Sequence, residues 1–389
     1  MMITRRATLL GLAAIGAGRS SLALASVATD QRFVVVILRG AMDGLAAVPP
    51  YGDPALAGLR AAITPAGPGQ PDGMLDLGGF YGLHPSLVSL HAMYAAGELL
   101  PVHAIAGPYR VRSHFEAQDY MESGADHRMT SGWLNRVVAA MPRPGGKPHG
   151  EAVAVGVATP LLLRGPAPVG GYAPKGFAAP PPNFYMQVAA LADGDRLIGP
   201  VLRQGMTERG YVASMADEAG RQYDFVALAR AAGELLARPD GPRIAALEID
   251  GWDTHVAQVA RLTNVLKQLD TGLEAMKQAL GPAWRQTAVL TMTEFGRTAR
   301  VNGTNGTDHG TASVAFVLGG AVAGGRVLGT WPGLGSGKLL EDRDLAPTTD
   351  LRSVAKGLLR GHLGLDDAVL AQVFPDSAGA SPISGLLRV

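Results

Sequence analysis

Residues 33–38 read FVVVIL, a continuous run of apolar and mostly β-branched side chains. A run of this length without polar alternation is typical of a strand that is buried on both faces of a parallel sheet. The run ends at RGAMDG, residues 39–44, a turn sequence that places Asp43 directly after the strand. The stretch therefore predicts the first strand of an α/β fold.

Strands and helices are predicted to alternate along the rest of the chain. Apolar runs predict strands at 99–105, 243–249, 288–293 and 313–318, and helical patterns cover 86–97, 113–121, 212–237, 256–280 and 350–360. This order is typical of a mostly parallel central sheet flanked by helices. Since α/β folds often run this long as one unit, we expect residues 29–389 to form a single domain.

The segment 160–200 departs from this alternation because it is rich in proline and glycine. It contains GPAP at 165–168 and APPP at 179–182. These residues disfavour helix and the interior of a sheet. The sequence here predicts an irregular insert or cap on the surface of the domain.

The first 28 residues have the three parts of a twin-arginine signal peptide. Thr4-Arg5-Arg6 precedes the apolar stretch 9–15, and Ala23-Leu24-Ala25 supplies the small residues of a cleavage site. The apolar stretch is shorter than the about 20 residues that span a bilayer, so no permanent membrane anchor is expected. We interpret the segment as a signal for the twin-arginine translocase and expect a periplasmic or secreted protein. The alternative, an amphipathic N-terminal helix, would not need the arginine pair.

Composition excludes some partners and some chemistry. The chain has 34 Lys and Arg residues against 33 Asp and Glu, and loss of Arg5, Arg6 and Arg19 with the signal would leave 31 against 33. The resulting net charge of −2 provides no basic field for nucleic acid. Because the chain has no cysteine, a metal site must use Asp, Glu, His, Asn or hydroxyl ligands, and a cysteine nucleophile is excluded.

Carboxylates and imidazoles recur beside the ends of four predicted strands. Ligands bind at the carboxyl ends of strands in open α/β sheets, so these side chains are expected to converge on a divalent cation: Zn, Mn, Mg or Ca. Structural alternatives stay open, with Asp43 and Asp308 as turn residues and Asp253 as a helix N-cap. The candidate ligands are Asp43, Asp253, His255, Glu294, Asp308 and His309.

Ser113 and His114 stand at the start of a predicted helix. Ser113 and Glu116 have the spacing of a capping box, in which Ser113 would simply cap the helix. The same position faces the positive end of the helix dipole, where an anionic ester can bind. His114 would supply either a proton or a polar contact, and both interpretations stay open.

Six motifs follow one another along the chain: LRGAMDGL at 38–45, GLHP at 82–85, RSHFEAQ at 112–118, GWDTH at 251–255, TEFGRT at 293–298 and TDHG at 307–310. Together they resemble the bacterial domain-of-unknown-function 1501 family, whose members commonly bear twin-arginine signals. That family is grouped with the alkaline-phosphatase-like superfamily of phosphatases, sulfatases and cofactor-independent phosphoglycerate mutases. The resemblance implies an alkaline-phosphatase-like fold, with a parallel sheet between helices.

The resemblance also implies a metal centre. Asp43 stands where the superfamily has its first metal-binding Asp, and His309 resembles its last metal-binding His. Asp253 and His255 resemble an Asp and His pair that binds one metal. Glu294 falls where an Asp-His pair is normal, so its His partner is missing and one metal is expected rather than two.

The chemistry implied by the resemblance is hydrolysis of a phosphate ester, with Ser113 as the nucleophile. Arg297 or Arg112 would clamp an ester oxygen through its planar fork, or else serve as an ordinary salt-bridge residue. Sulfate is less favoured because the chain lacks the Cys/Ser-x-Pro-x-Arg setting of formylglycine sulfatases. We therefore predict an exported metal-dependent hydrolase of a small-molecule or polymer ester. The alternative is a non-catalytic exported binding or assembly protein with a structural metal or none.

Overall fold

A computed structural model describes residues 30–141, 151–156, 158–172 and 224–388, and its centre is an eight-stranded sheet. The strands of the chain are β1 Arg32–Leu38, β2 Leu75–Asp76, β3 Gly82–Leu83, β4 Leu99–Ala106, β5 Ala152–Val155, β6 Gly170–Tyr172, β7 Ile244–Ile249, β8 Thr287–Met292, β9 Ser313–Leu318 and β10 Thr349–Asp350. Their order in the large sheet is β10-β4-β9-β8-β1-β7-β5-β6, and β2 pairs with β3 apart from it. The predicted fold class, a mostly parallel sheet flanked by helices, is confirmed.

β1 lies in the interior of the sheet and is buried along its whole length. It pairs in parallel with β7 on one side and with β8 on the other. Phe33 and Val35 pack into the apolar core on one face of the sheet, and Val34 and Val36 pack into the core on the other. Burial of both faces explains why the sequence of this strand has no polar alternation.

Helices cover both faces of the sheet. They are α1 Gly44–Ala47, α2 Ala55–Arg60, α3 Val88–Ala95, α4 His114–Ser123, α5 Trp133–Ala140, α6 Phe225–Ala237, α7 Gln258–Leu280, α8 Leu351–Leu363 and α9 Asp367–Val373. The core that contains Phe33 is completed by α4, α5, α8 and α9. The opposite core is completed by α1, α3, α6 and α7. These eight helices therefore bury apolar side chains against one face of the sheet or the other, whereas Leu56 of α2 packs in a third, smaller apolar cluster.

The direction of β9 decides where the loops of the molecule meet. β9 runs antiparallel to both of its neighbours, β4 and β8. Its first residue, Ser313, therefore lies at the edge where the parallel strands β1, β7 and β8 end. Residues 307–310, which precede β9, are brought to the same edge as the loops that follow those three strands.

The described part of the segment 160–200 belongs to the body of the domain. Leu161–Leu163 forms a 3₁₀ turn, and β6 pairs in parallel with β5 at one end of the sheet. Leu162 and Leu163 are buried in the core beside α5. Within residues 160–172, Leu161–Leu163 and β6 thus belong to the core and the sheet, whereas residues 164–169 between them are irregular, with Arg164, Gly165 and Pro166 exposed, as expected from the proline and glycine content.

Three predictions fall at least partly outside the described residues. They are the signal peptide at 1–28, the remainder of the proline-rich segment at 173–200, and the first part of the helix predicted at 212–237. Within the described residues that helix begins at Phe225. None of the helices in this part of the chain is long and apolar enough to cross a membrane.

Candidate metal centre

Three segments of the chain meet at the carboxyl edge of the sheet. The loop after β7 carries Asp253 and His255, the loop before β9 carries His309, and the first turn of α4 carries His114. One ligand atom from each of His114, Asp253 and His309 lies within 4.8 Å of the other two. We call His114, Asp253, His255 and His309 the histidine cluster.

The imidazole rings of the histidine cluster face one another through their Nε2 atoms. Nε2 of His309 lies 3.0 Å from Nε2 of His114 and 3.0 Å from Nε2 of His255. The Asp253 carboxylate joins them, with Oδ1 3.1 Å from His255 Nε2 and Oδ2 3.6 Å from His114 Nε2. Three ring nitrogens and one carboxylate are thereby brought together, as predicted for Asp253, His255 and His309.

Two further carboxylates lie behind these rings. Oε1 of Glu294 is 2.7 Å from Nδ1 of His114, and Oδ1 of Asp308 is 3.1 Å from Nδ1 of His255. Both acids therefore contact the ring nitrogen that points away from the cluster. Glu294 and Asp308, which the sequence offered as ligands, thus place these oxygens behind the rings of His114 and His255 rather than among the Nε2 atoms.

The third ring, that of His309, is held by the backbone. Its Nδ1 lies 2.8 Å from the carbonyl oxygen of Arg112. A carbonyl oxygen only accepts, so in a neutral ring this nitrogen carries the proton and Nε2 presents a lone pair. The ionised carboxylates behind His114 and His255 impose the same tautomer on those rings.

Lone pairs of neighbouring rings repel at 3.0 Å unless a cation lies between them. An acceptor on Nδ1 of each ring is the arrangement that surrounds metal-ligating histidines in proteins. The residues present therefore fit a divalent cation that is bound by the Nε2 atoms and by Asp253.

Glu294 is tightly fixed at the end of β8. It has no exposed side-chain surface, and its Oε1 accepts hydrogen bonds from the Gly40 backbone N–H and from Gln118 Nε2, both at 2.9 Å. Burial alone would raise the pKa of Glu294, but hydrogen bonds from His114 and Gln118 hold that pKa below its ordinary value. The group behind His114 is thus an ionised acceptor.

Arg297 is buried beneath the cluster and donates to several protein groups. Nε donates to the Ala41 carbonyl at 2.8 Å, Nη1 to the Thr307 carbonyl at 3.1 Å, and Nη2 to Oδ1 of Asp253. Burial would raise the pKa of Asp253, but the hydrogen bond and charge of Arg297 hold it below its ordinary value. Because its donors are engaged, Arg297 orients Asp253, which corrects the prediction that it clamps an ester oxygen.

Asp43 does not lie in the histidine cluster. It is almost completely buried, and its two oxygens accept hydrogen bonds from Nη1 and Nη2 of Arg60 at 2.9 and 2.5 Å. Burial would raise the pKa of Asp43, and the Arg60 guanidinium keeps that pKa below its usual range. Asp43 also caps α1 through the Ala46 N–H. The sequence-based assignment as a ligand is corrected, because an arginine at the end of α2 occupies both oxygens.

Ser113 is the N-cap residue of α4 and stands directly before His114. Its side chain is exposed and makes no capping hydrogen bond. Glu116 accepts a hydrogen bond from the Tyr120 hydroxyl at 2.7 Å instead of closing a capping box. Among the described residues, the first N–H groups of α4 therefore have no side-chain partner at the helix end that carries His114.

One protein-family model matches the chain. It is described as "Protein of unknown function (DUF1501)" and covers residues 197–374. The resemblance inferred from the motifs is confirmed over that range, which includes three residues of the histidine cluster but not His114. No curated protein matches the chain.

Similar solved structures include a protein in the alkaline phosphatase superfamily, a phosphonate monoester hydrolase and a periplasmic domain in complex with zinc. The superfamily protein, from Vibrio parahaemolyticus, is 11% identical with a TM-score of 0.38, and the match covers 78% of this chain and 64% of that one. The phosphonate monoester hydrolase of Agrobacterium radiobacter is 11% identical with a TM-score of 0.37, covering 86% and 74%. The zinc complex of the C-terminal periplasmic domain of EcEptC from Escherichia coli is 9% identical with a TM-score of 0.32, covering 75% and 73%. The chain thus spans less than two thirds of the Vibrio protein.

Sequence reasoning assigned His114 to proton transfer or a polar contact, whereas its Nε2 faces the cluster. The available signal was the motif RSHFEAQ, in which Gln118 lies one helical turn after His114 and also contacts Glu294. The contact between the Arg112 carbonyl and Nδ1 of His309 could not be predicted from the sequence, because any residue can supply a backbone oxygen.

Proposed function

We propose that this protein is a metal-dependent hydrolase that cleaves a phosphate ester at the histidine cluster. The supporting observation is that three Nε2 atoms and the Asp253 carboxylate converge while an acceptor occupies each Nδ1. Of the divalent cations expected from the sequence, Zn²⁺ suits such imidazole-rich donors best, whereas Mg²⁺ and Ca²⁺ prefer oxygen. We take zinc as the working metal.

The openness of the cluster supports an enzyme over a structural metal protein. The exposed fraction of the side chain is 48% for Asp253, 39% for His255 and 23% for His114. Structural zinc sites are closed by their four ligands, whereas catalytic sites keep a position open to solvent. A site that held only a structural metal would not need this exposure.

Charge favours an anionic ester as the substrate. A divalent cation would supply a Lewis acid that offsets the negative charge of the ester and polarises its phosphorus–oxygen bonds. The first N–H groups of α4, left without a side-chain cap by Ser113, can donate to the remaining ester oxygens. The attraction of the cation and the hydrogen bonds from these N–H groups both become stronger as negative charge accumulates on the ester oxygens. They therefore favour a phosphate ester over a neutral ester.

Ser113 is the proposed nucleophile. Its hydroxyl is exposed and makes no hydrogen bond to the described residues, so it can turn towards a bound ester and release its proton to solvent. Oγ forms a bond to phosphorus while the bond from phosphorus to the alcohol oxygen breaks, and the alcohol leaves with a proton. Water then cleaves the phosphoserine, which restores the hydroxyl and releases phosphate.

The test combines metal content with a substrate panel. The purified protein is loaded with Zn²⁺ and assayed with p-nitrophenyl phosphate, bis-p-nitrophenyl phosphate and p-nitrophenyl sulfate. We expect hydrolysis of a phosphate ester, and a fall in kcat of roughly 100-fold or more in Ser113→Ala with unchanged zinc content and free energy of unfolding.

A matched control is His127→Ala, since the exposed His127 ring contacts the neighbouring Asp126 carboxylate and, among the described residues, no member of the histidine cluster. It should keep wild-type zinc content and kcat, while Asp253→Asn and His309→Ala lose both. Hydrolysis that survives in the two cluster variants would contradict the proposal. Zinc binding without hydrolysis of any ester would favour the structural-metal alternative.

We also propose that the protein is exported by the twin-arginine translocase to a periplasmic or secreted location. Support comes from the sequence alone, from Thr4-Arg5-Arg6 and the apolar stretch 9–15. An ester substrate, small or polymeric, would then be met outside the cytoplasm.

A further inference from the structure

A buried amide joins the two loops that carry most of the histidine cluster. Gln258, the first residue of α7, is only 1% exposed. Its Oε1 accepts hydrogen bonds from the Thr254 hydroxyl at 3.0 Å and the Thr307 hydroxyl at 2.6 Å. Thr254 is flanked by two residues of the cluster, and Thr307 lies two residues before His309. One side chain therefore holds the loop after β7 against the loop before β9.

The direction of the Gln258 amide is set by a buried ion pair. Nε2 of Gln258 donates to Oδ2 of Asp43 at 2.6 Å, and Asp43 is held by Arg60. A carboxylate accepts but cannot donate, so the N–H end of the amide must face Asp43 and the carbonyl end must face the two hydroxyls. A flipped amide would place its carbonyl oxygen against the Asp43 carboxylate and lose the hydrogen bond to Oδ2.

We infer that Gln258, oriented by Asp43 and Arg60, is a positioning residue that sets the spacing of the metal ligands. The inference rests on the proposed function, because it gives the amide a role in metal binding. It gives the buried ion pair of Asp43 and Arg60, which does not contact the histidine cluster, a role in orienting the Gln258 amide. Loss of the amide would leave every ligand in the chain but relax the distance between the Asp253–His255 loop and His309.

The chain offers a matched control for a buried amide. Asn135 on α5 is completely buried and donates to the carbonyls of Leu163 and Ala167, each at 2.9 Å. Its Oδ1 accepts from the Ala167 N–H at 3.1 Å, and it contacts no residue of the cluster. Gln258→Met and Asn135→Leu each replace a triply hydrogen-bonded amide by an apolar side chain of similar size. Both should lower the free energy of unfolding, and only the first should change metal binding.

The experiment titrates the metal-free full chain with Co²⁺ and Zn²⁺. The visible absorption of Co²⁺ reports the geometry of its ligands, and competition with a chromophoric chelator gives the Kd for Zn²⁺. We expect Gln258→Met to weaken Zn²⁺ binding by about 10- to 100-fold, the range for residues that orient ligands, and to alter the Co²⁺ spectrum. Asn135→Leu should keep the wild-type Kd and spectrum. A wild-type Kd and spectrum in Gln258→Met, with its stability lowered as in Asn135→Leu, would overturn the inference.

Thr307→Val provides a second variant if Gln258→Met does not fold. It removes the hydroxyl that donates to Gln258 Oε1 at 2.6 Å and that also lies 3.3 Å from Asp43 Oδ2, and it should weaken Zn²⁺ binding in the same direction. In the double variant the loss should be smaller than the sum of the two single losses, because both changes break the contact between Thr307 and Gln258. Additive losses would overturn the inference.

The same titration separates the inference from the proposed function. A wild-type protein that binds neither Co²⁺ nor Zn²⁺ would overturn both. Wild-type binding that depends on Gln258 but accompanies no ester hydrolysis would support the inference and overturn the proposed hydrolase.

Discussion

Nδ1 of His114 lies 2.7 Å from Oε1 of Glu294, a carboxylate that has no exposed surface. In Glu294→Gln the oxygen that faces His114 can remain, but the negative charge that makes the ring a stronger ligand is lost. Removal of such a partner costs roughly 10-fold or more in metal affinity. We expect the Kd for Zn²⁺ to rise by this amount, as measured by chelator competition.

The matched control for this prediction is Glu98→Gln. Glu98 pairs with Lys277 at 2.7 Å and contacts no residue of the cluster. The same Kd for Zn²⁺ in Glu294→Gln, Glu98→Gln and the wild type would show that Glu294 has only a structural role.

Asp43→Asn should lower stability without removing the metal. It leaves the Arg60 guanidinium, which is 1% exposed, without its counter-charge. Breaking a buried ion pair in this way should lower the free energy of unfolding by about 3–5 kcal/mol. Unfolding in urea measures this change. Zinc bound at saturating concentration should stay at the wild-type level, although its affinity can fall through Gln258.

The double variant Asp43→Leu with Arg60→Met checks the cause of that loss. Because it removes both charges, it should be more stable than either single substitution at these positions. Loss of bound zinc at saturation, with unchanged stability, would return Asp43 to the set of metal ligands.

The five strands β1, β4, β7, β8 and β9 could be predicted because each is a local apolar run, whereas short strands such as β6 and β10 lack such a run and were not predicted. The residues 33–38 and 313–318 have similar patterns, however, and nothing within the second run shows that β9 is antiparallel. Strand direction depends on pairing with distant residues, which local patterns do not record. The meeting of residues 307–310 with the other loops was nevertheless expected from the recurrence of acids and histidines.

The roles of individual acids were harder to predict. A buried carboxylate after a strand suits a cation or a guanidinium equally, and Arg60 lies in an unremarkable helix, ALAGLR. Whether Glu294 faces a metal or the far side of His114 depends on side-chain direction, which sequence spacing does not define. The types of residue and their location at one edge of the sheet were therefore predictable. Which side chains face the Nε2 atoms and which lie behind the rings was not.

His103 should make stability depend on pH. The ring is buried, with Nε2 3.0 Å from the Val48 carbonyl and Nδ1 accepting from the Ala104 N–H at 2.9 Å. Burial lowers the pKa of His103 to about 4 from an ordinary value of 6.5. The unfolded chain binds a proton that the folded chain excludes, so the stability present above pH 6.5 is lost as the pH falls towards 4. The loss amounts to about 3 kcal/mol for this residue.

His103→Gln measures that contribution, because its amide can still donate to the Val48 carbonyl and does not titrate. Free energies of unfolding in urea, taken between pH 7 and pH 4, should fall more steeply for the wild type than for the variant. Loss of the ring contact with Tyr81, 5.1 Å between centroids, lowers the variant curve equally at every pH. Parallel curves would show that folding does not lower the pKa of His103 and would contradict the prediction.

Arg5→Lys combined with Arg6→Lys should retain the protein in the cytoplasm, because a twin-arginine signal depends on the arginine pair. Arg19→Lys, in the same segment, is the control and should be exported like the wild type; cell fractionation distinguishes the two outcomes.

The histidine cluster contains rings that are 195 residues apart in the sequence, His114 and His309, so it exists only in the folded chain. Twin-arginine export carries folded proteins, and we therefore expect the retained variant and the exported wild type to contain equal zinc. Export of the double-lysine variant would reject the signal, and an exported protein without zinc would reject loading before export.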